Sequence, residues 1–178
     1  MQANVQDFRE ISFTLQPLCL NEVNISARYS ESIRVLYTRN IFEFSNTWSL
    51  PYLHPTIRPD LFSEIHHVEL RWAFPGHWLP SMDSVKSVYF SAGQPQWIET
   101  CQAVLAMRGL QTFSLILEGN WFAESVEKIP VFLEPLRNLR LGREWTLVLP
   151  DQPYYAREVE RIGEELKDRG AEAVVRVG

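Results

Sequence analysis

Repeated switching between helix-period and strand-period segments limits what this chain can fold into, and the pattern is clearest in residues 151–177. Tyr155, Val159, Ile162 and Leu166 recur at i, i+4, i+7 and i+11, which draws one apolar stripe along a helix. Asp151 is a candidate cap and Pro153 suits the first turn, where a missing N–H costs nothing. Arg161/Glu165 and Glu165/Arg169 are spaced i,i+4 on the outer face, each pair worth about a few tenths of a kcal/mol. Gly170 stops the helix, and Ala173-Val174-Val175-Arg176-Val177 reads as a strand.

The same unit recurs upstream. Ile11, Phe13 and Leu15 alternate with polar residues as a first strand. Tyr29, Ile33, Leu36 and Tyr37 predict a helix over 27–38, with Ser26 or Asn24 at its start and the strand 41–44 after it. A short helix near 47–53 and a loop lead to a strand at 65–72, where Ile65 competes with Val68 and Leu70 for one face. Residues 73–96 carry Pro75, Gly76, Pro80, Gly93 and Pro95 and read as a long excursion, a kind of segment that is usually functional. Ile98, Cys101, Val104 and Leu105 predict a helix over 97–108, closed by Gly109. The apolar stretch 113–117 then predicts a strand buried on both faces. Pro130 and Pro135 forbid a regular helix over 126–136, and 145–149 is the next strand.

Alternating helices and strands imply parallel strands joined by crossovers. The expected fold is therefore α/β: repeated helix–strand units forming a mostly parallel, leucine-rich-repeat-like curved sheet with helices outside. No Leu-x-x-Leu-x-Leu-x-x-Asn core is present, and an open doubly wound sheet is the alternative. A length of 178 residues fits one domain over 1–178, since single cores run to roughly 100–200 residues.

Charge and composition remove several function classes. The net charge of −5 comes without a basic stripe, because the three arginines between Arg137 and Arg143 run straight into Glu144; no nucleic-acid partner is expected. No apolar run approaches the ~20 residues of a membrane helix, so no membrane partner is expected either. The polar start, with Asp7, Arg9 and Glu10, lacks a signal-peptide layout, and Cys19 and Cys101 make no disulfide framework. Together these features point to an intracellular site, cytoplasmic or nuclear. The partner expected is a protein, with neither its identity nor the oligomeric state readable from the chain.

Tyr29-Ser30-Glu31-Ser32-Ile33-Arg34-Val35-Leu36-Tyr37-Thr38-Arg39-Asn40-Ile41-Phe42-Glu43-Phe44 resembles the Tyr-Ser-Glu-Ala-x-x-x-Leu-Tyr-x-x-Asn-x-Phe-x-Phe signature of a large group of uncharacterised fungal domains. The strand 65–72, the unit 97–117 and Glu134-Pro135-Leu136-Arg137 are similar to that group as well, so the resemblance spans about 18–149. It implies a fungal origin and leucine-rich-repeat-like units, usually behind an F-box-like opening, and carries no established activity. Ile25-Ser26-Ala27 stands where those domains commonly have Cys-Arg-Gln, and the Leu-Pro-x-Glu opening is missing from 1–20. A ubiquitin-ligase adaptor role would lose its docking element here.

No catalytic residue emerges: there is no Gly-x-Ser-x-Gly elbow, and neither cysteine has an adjacent base. No phosphate-cradling glycine loop exists, and no cofactor is expected. His54, His66, His67 and His77 cluster in sequence, but adjacent His66 and His67 on one strand would point to opposite sides, and no His-x-His pair exists; no metal is expected. Six tryptophans are the stronger signal. Arg71, Trp72, Phe74, His77 and Trp78, with Trp121 after the neighbouring strand, form the expected binding surface, because Trp and Arg dominate protein–protein hot spots. The competing reading is a small-molecule-binding protein or enzyme, using a crevice at the C-terminal ends of the strands.

Overall fold

The computed structural model describes residues 11–12, 25–46, 48–73, 84–118 and 126–178. Its strands are β1 (Ile11–Ser12), β2 (Ile41–Phe44), β3 (His67–Trp72), β4 (Thr112–Leu117), β5 (Glu144–Leu149) and β6 (Val174–Val177). Between them run α1 (Ile25–Arg39), α2 (Ser49–Thr56), α3 (Pro59–Ser63), α4 (Ser84–Ala106), α5 (Lys128–Leu133) and α6 (Pro153–Asp168). The strands lie in one sheet in sequence order, with β1 antiparallel to β2 and β2 to β6 all parallel.

Sequential order decides the architecture. When every parallel strand is added on the same side of the last, crossovers of one hand all pass over the same face. The helices therefore cover one face, and the register shows which residues look toward them. Phe42, Val68, Phe113 and Trp145 form one transverse row, and Phe44, Leu70, Leu115, Leu147 and Val175 the next. These residues share a single hydrophobic cluster with Leu50, Phe62, Trp97, Ile129, Tyr155 and Ile162 from the helical segments. A doubly wound sheet needs a reversal of strand order, and none occurs across β1 to β6. The strand order is therefore not that of a doubly wound sheet.

Several expectations change in detail. β4 buries only Phe113, Leu115 and Leu117, while Thr112, Ser114 and Ile116 are half-exposed, because its second face meets no helix among the described residues. The phase of β3 is set by Val68, Leu70 and Trp72; Ile65 is fully buried but lies before the strand, so no competition arises. The helix before β4 begins at Ser84 rather than Trp97 and runs through Pro95, so it takes up the second half of the expected excursion. An unforeseen short helix, α3, starts at Pro59. Pro130 and Pro135 do divide their segment, into α5 and a 3-10 turn at Glu134–Leu136.

α6 is close to expectation, with Pro153 at its start and Tyr155, Ile162 and Leu166 buried. Its cap position is Gln152, not Asp151, and it makes no side-chain capping bond. Arg169 pairs with Glu165 at 3.0 Å, whereas Arg161 turns to Glu158 at 2.5 Å instead of Glu165. Gly170 ends the helix with φ of 83°, a backbone state that favours glycine.

Candidate functional site

The strand face turned away from the helices gathers side chains that no single segment reveals. Its rows are Ile41, His67, Thr112 and Glu144; then Glu43, Glu69, Ser114, Thr146 and Val174; then Arg71, Ile116, Val148 and Arg176. Polar residues and half-exposed aliphatics alternate with the core along β3 and β4, as a period of two requires, whereas β5 is buried on both faces, at Thr146 and Val148 as well as at its core residues. Val148 is buried yet stands outside the hydrophobic cluster, with Gly178 close against it, which marks it as belonging to this second face.

Arg71 is the hub of the face. Its Nε donates to Glu43 at 2.6 Å, Nη2 to Glu69 at 2.7 Å and Nη1 to Glu118 at 2.8 Å. The hydrogen bond to Glu118, then those to Glu43 and the charge of Glu43 and Glu69, raise the arginine pKa further above its usual value, against partial desolvation. Its side chain remains 36% exposed, so solvent screens each pair, and exposed pairs of this kind are worth about 0–1 kcal/mol apiece. The charge count matters more than the energy: three carboxylates meet one guanidinium, leaving two negative charges unmatched.

Beside the hub, His67 Nδ1 lies 2.7 Å from Thr112 Oγ1. Burial first, then the neighbouring His66 and Arg143, push its pKa below the ordinary histidine value, so the ring is neutral at pH 7. His66 precedes β3, so strand alternation does not separate the pair; their ring centroids lie 6.1 Å apart, edge to face. The Gln111 amide donates to His66 Nδ1 at 3.2 Å. Among the described residues, no group of three or more His, Cys, Asp or Glu could hold a metal ion.

The expected binding residues divide. Arg71 is on the face turned away from the described helices and is half-exposed. Trp72, its neighbour, points the opposite way and is completely buried. Its ring meets Trp97 at 4.8 Å and 61°, and Trp97 stacks on Phe132 at 4.2 Å and 16°. Trp72 is therefore a core residue and not a surface anchor, the necessary result of alternation on a strand covered from one side. Phe74, His77, Trp78 and Trp121 lie outside the described residues. Glu43, Glu69, Ser114, Ile116 and Glu118 were not singled out in advance. Their signal was present as polar residues interleaved with buried ones, but only the strand register brings them together.

Among the described residues, no helix is long and apolar enough to cross a membrane. Neither the curated proteins nor the solved structures contain a match to the chain. A family model does match, over residues 3–170, and its description is a domain of unknown function, DUF7730.

Proposed function

The chain belongs to the DUF7730 family, domains of unknown function, and from that starting point we propose that it is a protein-interaction module that receives its partner on the helix-free face of the sheet. One observation carries this reading. A folded sheet normally hides both faces of its central parallel strands, and here one face presents Arg71, Glu43, Glu69 and Glu118 with half-exposed Ser114 and Ile116. Arginine held in a rigid array of hydrogen bonds is pre-organised for recognition, because little side-chain entropy remains to be lost on binding.

As part of the same reading the sheet is leucine-rich-repeat-like and concave toward this face. Sequential order supports it: a layer of helices on one side is wider than the strands beneath it, and such a layer bends a sheet away from itself. A reducing intracellular compartment fits two cysteines of which Cys101 is free and buried. A fungal source rests on the signature from Tyr29 to Phe44.

Affinity capture from a cognate lysate with quantitative mass spectrometry tests the reading. The double variant Ser114→Arg/Ile116→Arg places bulk and charge in the middle of the face, and Glu164→Arg places charge on the exposed side of α6. The proposal expects a saturable partner whose enrichment drops about tenfold or more in the face variant, a loss of at least 1.4 kcal/mol, and persists with Glu164→Arg. Equal capture by both variants, with both melting like the parent, refutes it.

A further inference from the structure

β6 ends the sheet, and its outer edge is a second surface, distinct from the face offered above to a partner. We propose that β6 pairs antiparallel with β6 of a second copy of this chain, about a twofold axis at Val174, so that two sheets join into one. Three observations carry the proposal.

The first is the edge itself. Among the described strands β6 pairs with β5 alone. Gly178 N–H donates to the Leu149 carbonyl at 3.1 Å, and Leu149 is the Cα partner of Val177. In a parallel ladder that bond fixes the alternation: the backbone groups of Val174, Arg176 and Gly178 point to β5. Those of Val175 and Val177 point outward, as do those of Ala173 once the strand is continued back by one residue. Such an edge is a template for another strand, and Val-Val-Arg-Val holds no proline to blunt it.

The second is exposure. Val174 is 55% exposed, although its Cα partner on β5, Thr146, is buried. A second copy of the same valine across the axis would cover this apolar surface.

The third is charge, which is self-complementary. Pairing must set outward-facing backbone groups against each other, so Ala173 and Val175 of one copy exchange hydrogen bonds with Val175 and Ala173 of the other. That register places Val174 opposite Val174 and Glu172 opposite Arg176, the ion pair occurring twice by symmetry. Both are non-hydrogen-bonded pairs, where facing side chains come closest and opposite charges are favourable. The next register sets Arg176 against Val174, and the one after sets arginine against arginine. Charge therefore selects the first. The twofold axis stands perpendicular to the sheet, which leaves the helices of both copies on one side and the opposite faces continuous across the junction.

Sedimentation velocity of the intact chain over a concentration series, under reducing conditions, tests the proposal. A reversible species of twice the chain mass is expected. Val174→Lys sets two ammonium groups against each other at the axis and is expected to weaken the dimer about tenfold or more. Glu172→Arg and Arg176→Glu, each repeated by symmetry, are expected to weaken it about tenfold. The swap Glu172→Arg/Arg176→Glu is expected to restore it to within about threefold of the parent, a recovery that a folding defect in either single variant cannot imitate. Ser114→Arg/Ile116→Arg, remote from the edge, is expected to leave it intact. A parent chain that stays monomeric throughout overturns the proposal. So does a dimer indifferent to Val174→Lys, or one lost in both single charge variants and not recovered by the swap.

Discussion

Trp97 joins the sheet to the helices through three contacts at once: its ring meets Trp72, stacks on Phe132, and its Nε1 donates to the Phe132 carbonyl at 2.8 Å. Trp97→Ala removes all three and is expected to cost about 3–5 kcal/mol in chemical denaturation. Trp97→Phe keeps the stacking but strands the carbonyl, and is expected to cost about 1–3 kcal/mol; a neutral result would show that this hydrogen bond contributes nothing. His67 has an opposite kind of signature. Its neutral ring is favoured in the fold, so the unfolded chain takes up the proton first as pH drops. Its contribution is full above the ordinary value of 6.5 and is lost as pH falls through the lowered folded value. His67→Gln should therefore flatten the loss of stability between about pH 7 and 5 relative to the parent. Parallel slopes in urea melts across that range would contradict the assignment. None of these side chains could be assigned from periodicity alone. Trp72 and Arg71 are adjacent, equally suited to an interface in sequence, and only the question of which face the helices cover separates them.

At the scale of elements, two glycines make opposite predictions. Gly109 follows α4, and a methyl group there would run into the backbone carbonyl of Ser63 at the end of α3, which has no freedom to rotate away. Gly109→Ala is expected to destabilise the fold by about 1–3 kcal/mol. Gly163 sits inside α6, where a methyl would meet Val175 at ordinary contact distance. Gly163→Ala is expected to stabilise by about 0.5–1 kcal/mol, because glycine in a helix loses more chain entropy than alanine. Reversed signs in thermal melts would refute the packing described around each. The elements themselves were largely legible. The stripe of α6, the proline break after α5 and the strand pattern at β4 and β5 all announce themselves through period and punctuation. The start of α4 did not, because Gly93 and Pro95 resemble loop punctuation although the helix runs through both. Burial also differed for β4, whose continuous apolar run looked two-sided: Ile116 is apolar but faces away from the helices.

For the molecule as a whole, strand order is the decisive fact, and it is a property that local patterns do not encode. Helix–strand alternation is shared by sheets wound once and twice, so both remained open until the order β1 to β6 selected the first. From that order follow the placing of the described helices over one face and the meeting of Glu43, Glu69 and Glu118 around Arg71 on the other. The carboxylate site is thus long-range in origin: its residues are ordinary in their own segments and acquire meaning only through register. Cysteine chemistry can read the two faces against each other. Cys101 is buried on the helix side, and burial pushes its thiol pKa well up, so it should resist alkylation in the folded chain. Ser114→Cys, in a Cys19→Ser background, puts a second thiol in the centre of the opposite face. The measurement is site-resolved maleimide labelling of both thiols in the native protein, alone and with its captured partner bound. The account predicts labelling of position 114 about a hundredfold faster than Cys101, protection by the partner, and loss of partner binding once 114 is modified. Slow labelling of 114 in the free protein, or a labelled chain that binds its partner undiminished, would contradict it.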